Sequence, residues 1–245
     1  MKLINNYNTN AKMLKFLPWI EQDKLYSYDL CKNPNYVQMM EKNHDLINWS
    51  SIGMNPAAIH IIERNLDKIT NWYTLSANPK AIYIIEKNMD KVVINGLAMN
   101  PAARHLLLQI EDILSVKTLY ANPAMIDLIL ENKELIDWEY LSMNPAPEAV
   151  EFLIENFSKI SWLYFSTNPT AIKYIKKYRD HIYWEYLSVN PAAIDMIETK
   201  KHLISWILIG NNENIFEYDY KSMKEIRLPI KEEMIQKGII RIKDV

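Results

Sequence analysis

Glycine and cysteine are scarce in this chain. Its 245 residues include four glycines and one cysteine, and each glycine lies at least 28 positions from the next. Phosphate-cradling loops and the sharp turns that expose catalytic nucleophiles need closely spaced glycines. The sequence therefore excludes those classes of enzyme.

The single cysteine excludes a framework of internal disulfides and indicates a reducing compartment, although an intermolecular bridge stays open. We expect Cys31 to be a small buried residue. In the alignment of repeats described below, it takes the position held elsewhere by Ala77, Met99, Met143 and Val189.

Strong net charge and long apolar runs are also missing. The formal net charge is −2 and the pI is about 6.2, so the whole chain has no general attraction for polyphosphate. A local basic stripe stays open. No segment approaches the ~18 consecutive apolar residues of a membrane span, and residues 1–10 lack the apolar run of a signal peptide. These absences predict a soluble, non-secreted protein without a membrane partner.

What the chain contains instead is a repeat. Asn-Pro occurs eight times, with steps of 22, 23, 22, 22, 22, 24 and 22 residues between successive prolines. The asparagines are Asn33, Asn55, Asn78, Asn100, Asn122, Asn144, Asn168 and Asn190. Asparagine caps helix N-termini, and proline fits the first helical position, where a missing N–H costs nothing. Each pair therefore predicts the start of a helix in a tandem array.

An apolar stripe follows each Asn-Pro pair. Most units have a small residue two positions after proline and isoleucine at the third and sixth positions, as in Ala58, Ile59 and Ile62. This spacing predicts a helix of about three turns with one apolar face. Recurrent asparagines at its end predict C-terminal caps in the left-handed conformation. They are Asn43, Asn65, Asn88 and Asn132.

A second, shorter pattern precedes each Asn-Pro pair. Tryptophan stands six residues before the asparagine in five units, and a large apolar residue follows three positions later. The tryptophans are Trp49, Trp72, Trp138, Trp162 and Trp184. This spacing predicts a short helix or 3₁₀ turn, so each unit is a helix pair. Two units carry Ile94 and Val116 in place of tryptophan, and we expect these to be the least tightly packed because they bury less apolar area.

The sequence thus predicts an all-α fold, an elongated α-solenoid of ~22-residue helix-turn-helix repeats with a degenerate N-terminal cap and a distinct C-terminal cap. We expect one domain over residues 1–245: the N-terminal degenerate repeat 1–32, the repeats 33–212 and the C-terminal helical cap 213–245. In the first segment, Asn10-Ala11 opens a half-repeat whose helix carries Met13, Leu14 and Leu17. In the last, residues 219–227 and 229–237 read as two helices, the second opening with proline and closing at Gly238.

The repeat unit has a recognisable form. Trp-x-x-Leu-Ser-x-Asn-Pro-x-Ala-Ile, seen at residues 72–82 and 184–194, resembles the Asn-Pro repeat proteins encoded in large families by giant DNA viruses of protists and algae. The closing segment from Ile215 to Tyr220 resembles the end of the same family, except that Ile239, Ile240 and Arg241 stand where the family commonly has His-Pro before an arginine. The resemblance implies a viral protein in the host cytoplasm or the virion, with interaction repeats and no known chemistry.

No catalytic, cofactor or metal site is predicted. His60 and His105 hold the same helix position two repeats apart, roughly 20 Å from each other, which is too far to share a metal. His44, His181 and His202 fall in loops after the long helices, where solvated surface residues are the rule.

The recognition feature that stands out is aromatic. Tyr73, Tyr140, Tyr164 and Tyr186 follow the tryptophan position by one or two residues, and the last three belong to consecutive repeats. Equivalent residues of stacked repeats share one surface, and tyrosine offers a large contact area with a polar tip. We predict a protein-binding surface on the short-helix side formed by these tyrosines with Glu139 and Glu185. The alternative that the rings only cover the seams between repeats stays open.

Three functions follow. The first is a non-enzymatic scaffold that binds a host or viral protein. The second is a structural component of the virion, associated with its capsid. The third, binding of nucleic acid along a basic inner groove, is disfavoured by the net charge.

Overall fold

A computed structural model describes residues 13–236. The described residues are mostly helical and fall into two compact units, one formed by residues 13–20 with 216–236 and the other by residues 21–215. The second unit contains the repeats. The chain is therefore all-α in its coarse class, with one pair of three-residue strands among the described residues.

The α-helices are short, except for α10 and the last one. In chain order they are α1 (Ser27–Leu30), α2 (Val37–Lys42), α3 (Ile59–Arg64), α4 (Trp72–Ser76), α5 (Ile82–Glu86), α6 (Ile94–Met99), α7 (Arg104–Leu107), α8 (Ile126–Glu131), α9 (Trp138–Met143), α10 (Pro147–Glu155), α11 (Trp162–Thr167), α12 (Ile172–Lys177), α13 (Trp184–Leu187), α14 (Ile194–Thr199) and α15 (Tyr220–Gln236).

Turns of 3₁₀ helix join these elements. Those that open the long helix of a repeat are Pro34–Tyr36, Pro56–Ala58, Pro79–Ala81, Pro101–Ala103, Pro123–Met125, Pro169–Ala171 and Pro191–Ala193, and the equivalent turn Glu213–Ile215 leads into a strand instead. Those that follow it are His44–Leu46, Leu66–Lys68, Met89–Lys91, Ile113–Ser115, Lys133–Leu135, Phe157–Lys159 and Arg179–His181. The remaining ones are Gln22–Lys24 and three that replace a short helix, Ile52–Met54, Lys117–Ala121 and Leu208–Asn211.

The predicted Asn-Pro caps are confirmed for seven of the eight pairs. At the remaining pair, Asn144-Pro145, the helix begins two residues later, at Pro147, with Ala146 as its N-cap. The side-chain oxygen of each of these eight asparagines accepts a hydrogen bond from the backbone N–H two residues later, as Asn33 does from Asn35 at 2.9 Å. Asn212 makes the same bond to Asn214 N–H without a following proline, so it opens a ninth turn. The chain therefore contains nine Asn-capped turns in the described residues.

The apolar stripe of each long helix is buried unevenly. The residue two positions after proline and the one six positions after it are fully buried, as Ala58 and Ile62 show, whereas Ile59 is half-buried. Burying one isoleucine side chain contributes about 2 kcal/mol. The opening turns of successive repeats contact each other, and Tyr36 and Met125 show that the second position also accepts a large buried side chain.

The predicted left-handed caps are wrong. The φ angles of Asn43, Asn65, Asn88 and Asn132 are −144°, −139°, −137° and −122°. Three of these asparagines instead donate their side-chain amide to the carbonyl four residues earlier, as Asn65 does to Ile61 at 3.0 Å. The side-chain amide thus donates to one of the terminal carbonyls of the helix. In a left-handed cap, a backbone N–H would have donated to such a carbonyl instead.

The asparagines of the Asn-capped turns also join the repeats. Each donates both side-chain N–H groups to the preceding repeat, one to the carbonyl of its asparagine and one to the carbonyl two residues before that. Asn122, for example, donates to Asn100 at 3.1 Å and to Ala98 at 2.8 Å. All nine side chains are at most 1% exposed. A buried amide that makes three hydrogen bonds leaves almost no polar group unsatisfied.

This chain of hydrogen bonds closes on itself. Asn33, in the first repeat, donates to Asn212 and to Gly210 of the ninth repeat, both at 2.9 Å. The pattern of acceptors is the same as at every internal junction, although 179 residues separate Asn33 from Asn212. Repeats one to nine therefore form a closed ring.

Other contacts at this junction also repeat the internal ones. The ammonium of Lys24 lies 5.3 Å from the ring centre of Trp206, as that of Lys68 lies 5.0 Å from Trp49. Asn35 donates to the carbonyl of Glu213, and Asn214 donates to that of Pro191, at 2.8 and 2.9 Å.

Gly210, at the junction, is required for the same steric reason as Gly53 inside the ring. A side-chain carbon at Gly210 would meet Asp29 and Leu30 at 3.0–3.3 Å, as one at Gly53 would meet Thr74 and Leu75. The elongated array with a separate cap at each end that the sequence indicated is thus wrong, because the ninth repeat covers the first.

Cys31 sits one position earlier in the repeat than the sequence alignment placed it. Its buried sulfur accepts a hydrogen bond from the N–H of Asn48 at 3.2 Å, as Ser76 Oγ does from Val93 at 3.1 Å. Ser142, Ser166 and Ser188 make the equivalent bond. Burial raises the pKa of the Cys31 thiol, which keeps it neutral. Cys31 is therefore a variant of the serine position and not of Ala77.

The fifth repeat compensates in part for its missing tryptophan. Tyr120 occupies the small-residue position of the other units, is 1% exposed and donates its hydroxyl to the carbonyl of Leu114 at 3.0 Å. Its ring supplies the apolar bulk that Val116 lacks. The hydroxyl of Thr118 is buried without a hydrogen-bond partner, however, which costs about 1–3 kcal/mol. Greater looseness of the fourth and fifth repeats stays a prediction.

The other unit is a strand pair and a helix. Strand β1 (Leu14–Phe16) pairs antiparallel with β2 (Phe216–Tyr218), and the rings of Phe16 and Phe216 lie 4.5 Å apart. Helix α15 begins after Asp219, whose carboxylate accepts from Ser222 N–H at 3.1 Å. The segments before and after the repeats thus form a pair of strands and a helix, where only terminal caps were predicted.

Two predictions for these segments are wrong. Met13, Leu14 and Leu17 do not lie on a helix, because Leu14 and Phe16 alternate with Lys15 and suit a strand. The two helices predicted at 219–227 and 229–237 are wrong over the described residues, since α15 runs from Tyr220 through Pro229 to Gln236. The side chains of residues 224–228 are exposed, so water can satisfy the carbonyl that proline frees. Asn10-Ala11, Lys237, Gly238 and the divergent residues 239–241 lie outside the described residues. The single domain with boundaries at 32 and 212 stays a prediction.

Exposed side chains of successive long helices also pair. The position four after proline contacts the glutamate at position seven of the preceding repeat. The pairs are His60–Glu41 at 2.8 Å, Tyr83–Glu63 at 2.5 Å and His105–Glu86 at 3.0 Å. The mixture of residues at this position, which looked like a solvated face, therefore includes bridges between repeats.

Closure of the ring predicts equal costs for two distant substitutions. Asn33→Ala and Asn122→Ala should each lower the free energy of unfolding by about 3 kcal/mol, because each removes three buried hydrogen bonds worth about 1 kcal/mol apiece. Urea denaturation measures both, with Asn95→Ala on exposed α6 surface as the control. A cost for Asn33→Ala well below that of Asn122→Ala would mean that the first repeat has a free end.

The Tyr83–Glu63 bridge predicts a pH effect. The hydrogen bond that the phenol donates to the carboxylate raises the pKa of Tyr83 to about 12, above the ~10 of an unfolded tyrosine. The bond therefore stabilises the fold below pH ~10, and this contribution is lost as the pH rises towards 12. A ¹³C NMR titration of the tyrosine ring carbons measures the midpoint, and Tyr83→Phe assigns the signal. Glu63→Gln should bring the midpoint back towards 10 and Glu86→Gln should not; an unchanged midpoint in Glu63→Gln contradicts the bridge.

Candidate interaction surface

The six predicted site residues all lie on short helices. Tyr73 is on α4, Glu139 and Tyr140 are on α9, Tyr164 is on α11, and Glu185 and Tyr186 are on α13. The tyrosines are half-buried and both glutamates are exposed. Successive short helices contact each other, so α9, α11 and α13 place their residues side by side.

The tyrosines of neighbouring repeats are in contact. The rings of Tyr140 and Tyr164 stack, with centroids 6.2 Å apart and planes 16° from parallel. The pKa of Tyr164 is raised by burial first and then by the negative charges of Glu139, Tyr140 and Tyr186. Glu139, Tyr140, Tyr164, Glu185 and Tyr186 are called the tyrosine–glutamate patch from here on.

Tyr73 belongs to a repeat three steps away from Tyr140, yet the two are electrostatically coupled. The pKa of Tyr73 is raised by burial first, and then by charge on Tyr140 and on Tyr28. The hydroxyl of Tyr73 also donates to the sulfur of Met99 at 3.2 Å.

The carboxylates near the patch differ in their pairing. Asp137, which caps α9, pairs with the ammonium of Lys117 at 3.2 Å. Glu139 and Glu185 make no ion pair with the described residues. The patch therefore offers stacked aromatic faces and two free negative charges.

A related cluster that the sequence did not predict lies in the first repeat. The ammonium of Lys32 lies 4.1 Å from the ring centre of Tyr28 and 2.9 Å from the carboxylate of Asp29, which is buried. Asn211, from the ninth repeat, donates to the same carboxylate at 2.7 Å. Tyr28 stands five residues before the asparagine of its Asn-Pro pair, as Tyr73 does. This shared position in the repeat could have identified Tyr28 as a candidate from the sequence.

A second aromatic cluster surrounds His181. The rings of Trp162 and His181 stack with centroids 4.6 Å apart, beside Phe157 and Tyr178. His181 is therefore an exposed residue of a 3₁₀ turn that covers a tryptophan, where the sequence indicated a loop. Lysine covers tryptophan in the same way in other repeats.

Open clefts lie at the seams between repeats, and one contains the residue types of a hydrolase triad. Ser161, Asp180 and His181 line a cleft of about 540 Å³. No hydrogen bond links the three side chains, and the imidazole is stacked on Trp162, so the arrangement does not activate the serine. Within residues 13–236 no group of three histidine, cysteine, aspartate or glutamate side chains could hold a metal ion.

The described part of the chain contains no helix with the length and apolar character that crossing a bilayer requires. No family model, curated protein or solved structure matches the chain.

Proposed function

We propose that the chain is a non-enzymatic solenoid scaffold whose tyrosine–glutamate patch binds another protein, host or viral, for a large DNA virus. The observation that carries this proposal is the stacked pair Tyr140 and Tyr164 between repeats, with half-buried Tyr186 and exposed Glu139 and Glu185 alongside. Aromatic rings held rigidly at a surface with one polar tip are the residues that dominate protein interfaces. The viral origin rests on the form of the repeat unit.

The charge of the patch favours protein over nucleic acid. Two unpaired carboxylates beside the rings repel phosphate, so binding of DNA or RNA would have to use another face. A structural role in the virion stays an alternative, which the abundance of the chain in purified particles tests: a high copy number supports it and absence excludes it.

Affinity purification from cells that naturally produce the chain tests the proposal. We compare the native chain with the triple variant Tyr140→Ala, Tyr164→Ala and Tyr186→Ala. Specific partners should be lost from the variant, because truncating a buried interface tyrosine costs about 2 kcal/mol or more, which is over tenfold in affinity per residue.

A matched triple variant controls for loss of tyrosine in general. Tyr83, Tyr183 and Tyr220 are exposed and lie outside the patch, and changing them to alanine should leave the partners in place. Circular dichroism establishes that both variants fold. Identical partners for the native chain and the patch variant would reject the patch as the binding surface.

A further inference from the structure

We infer that the tyrosine–glutamate patch recognises a lysine- or arginine-rich segment of its protein partner. This inference rests on the proposed function and adds the chemistry of the partner. It follows from the charge of the patch and from an ammonium site that the chain itself contains.

That ammonium site shows how the short-helix side holds a cation. Lys32 places its ammonium over the ring of Tyr28 at 4.1 Å and against Asp29 at 2.9 Å. A cation over an aromatic face is attracted by the negative charge of the ring, and the carboxylate adds a charge-assisted hydrogen bond. Both ligands come from one short helix, α1, at positions five and four before the asparagine.

The patch has the same two kinds of group, and none of residues 13–236 supplies it with a cation. Glu139 and Glu185 stand five residues before Asn144 and Asn190, at the register of Tyr28, and tyrosine stands at the next position in both helices. Neither glutamate pairs with a described cation, and the nearby Lys117 is engaged by Asp137 at 3.2 Å. Both exposed carboxylates are therefore available to an external cation beside the stacked, half-buried rings.

The spacing of the patch suits an extended chain. Glu139 and Glu185 are two repeats apart, and the rings of Tyr140 and Tyr164, which are one repeat apart, have their centroids 6.2 Å from each other. Four residues of extended chain span about 13 Å. Side chains at i and i+4 of a strand also point to the same side. Basic residues at every fourth position of an extended chain therefore present a row of cations to the row of carboxylates and rings.

A synthetic peptide tests the inference directly. The probe is a fluorescein-labelled serine peptide with lysine at every fourth position, and glutamine and glutamate replace lysine in two matched peptides. Fluorescence anisotropy with the full chain should show the lysine peptide binding about tenfold more tightly than the glutamine peptide, and added salt should weaken it. The glutamate peptide should not bind.

Variants separate the two kinds of contact. Glu139→Gln with Glu185→Gln should weaken the lysine peptide about tenfold. Tyr140→Ala with Tyr164→Ala should weaken it to a similar extent, whereas Tyr140→Phe with Tyr164→Phe should retain binding because the ring face remains. The control is Glu148→Gln with Glu151→Gln, two exposed glutamates of α10 without ion pairs, which changes the net charge equally and should leave affinity unchanged.

Two results would overturn the inference: equal affinity for the lysine and glutamine peptides, or equal weakening by the patch variant and the Glu148/Glu151 control. Its failure is distinct from failure of the scaffold. If natural partners depend on Tyr140, Tyr164 and Tyr186 while the lysine peptide does not bind, the scaffold stands and the basic class of partner is wrong. If the partners do not depend on these tyrosines, the scaffold surface itself is wrong.

Discussion

The asparagine side chain of each repeat is the interaction on which the rest of the structure depends. Its oxygen caps the turn of its own repeat, and its two N–H groups bind two carbonyls of the preceding one, as in Asn122 with Ala124, Ala98 and Asn100. Aspartate lacks these donors and would place a buried charge against two carbonyl oxygens. Glutamine has the groups but is longer by one carbon, so it cannot hold the short cap. The residue type is therefore set by hydrogen-bond geometry, and not by propensity alone.

The same interaction explains why the ring closes. The ninth junction uses the donors and acceptors of the internal ones, with Asn33, Asn35 and Lys24 meeting the ninth repeat as their counterparts meet other repeats. A repeat that stacks on one side only exposes its interior, so closure satisfies both end repeats without separate caps.

Local features of the fold could be predicted from the sequence. Asn-Pro marked the start of the long helix in seven repeats, with α10 beginning two residues late, and apolar spacing gave the buried face, because capping and helical periodicity act within a few residues. Closure could not be predicted, since Asn33 and Asn212 meet across 179 residues and the curvature of each junction is a packing property. The strand at Leu14–Phe16 depends on its partner Phe216–Tyr218 in the same way. On the surface, the contact between Tyr140 and Tyr164 could be predicted from their equivalent positions in the repeat. The contact of the Lys32 ammonium with Tyr28 and Asp29 could not, and was seen only in the structure.

Distances between spin labels on three equivalent, exposed residues test the ring most directly. Lys42, Glu131 and Thr199 each stand eight residues after the proline of the first, fifth and eighth repeats. Two double-cysteine variants are made, one at residues 42 and 199 and one at residues 42 and 131. Both carry Cys31→Ser, because serine is the usual residue at this position of the repeat. Double electron–electron resonance should find residues 42 and 199 closer together than residues 42 and 131, because a closed ring of nine places the eighth repeat two steps from the first. A longer distance between 42 and 199 than between 42 and 131 would show an open array and contradict the closed ring.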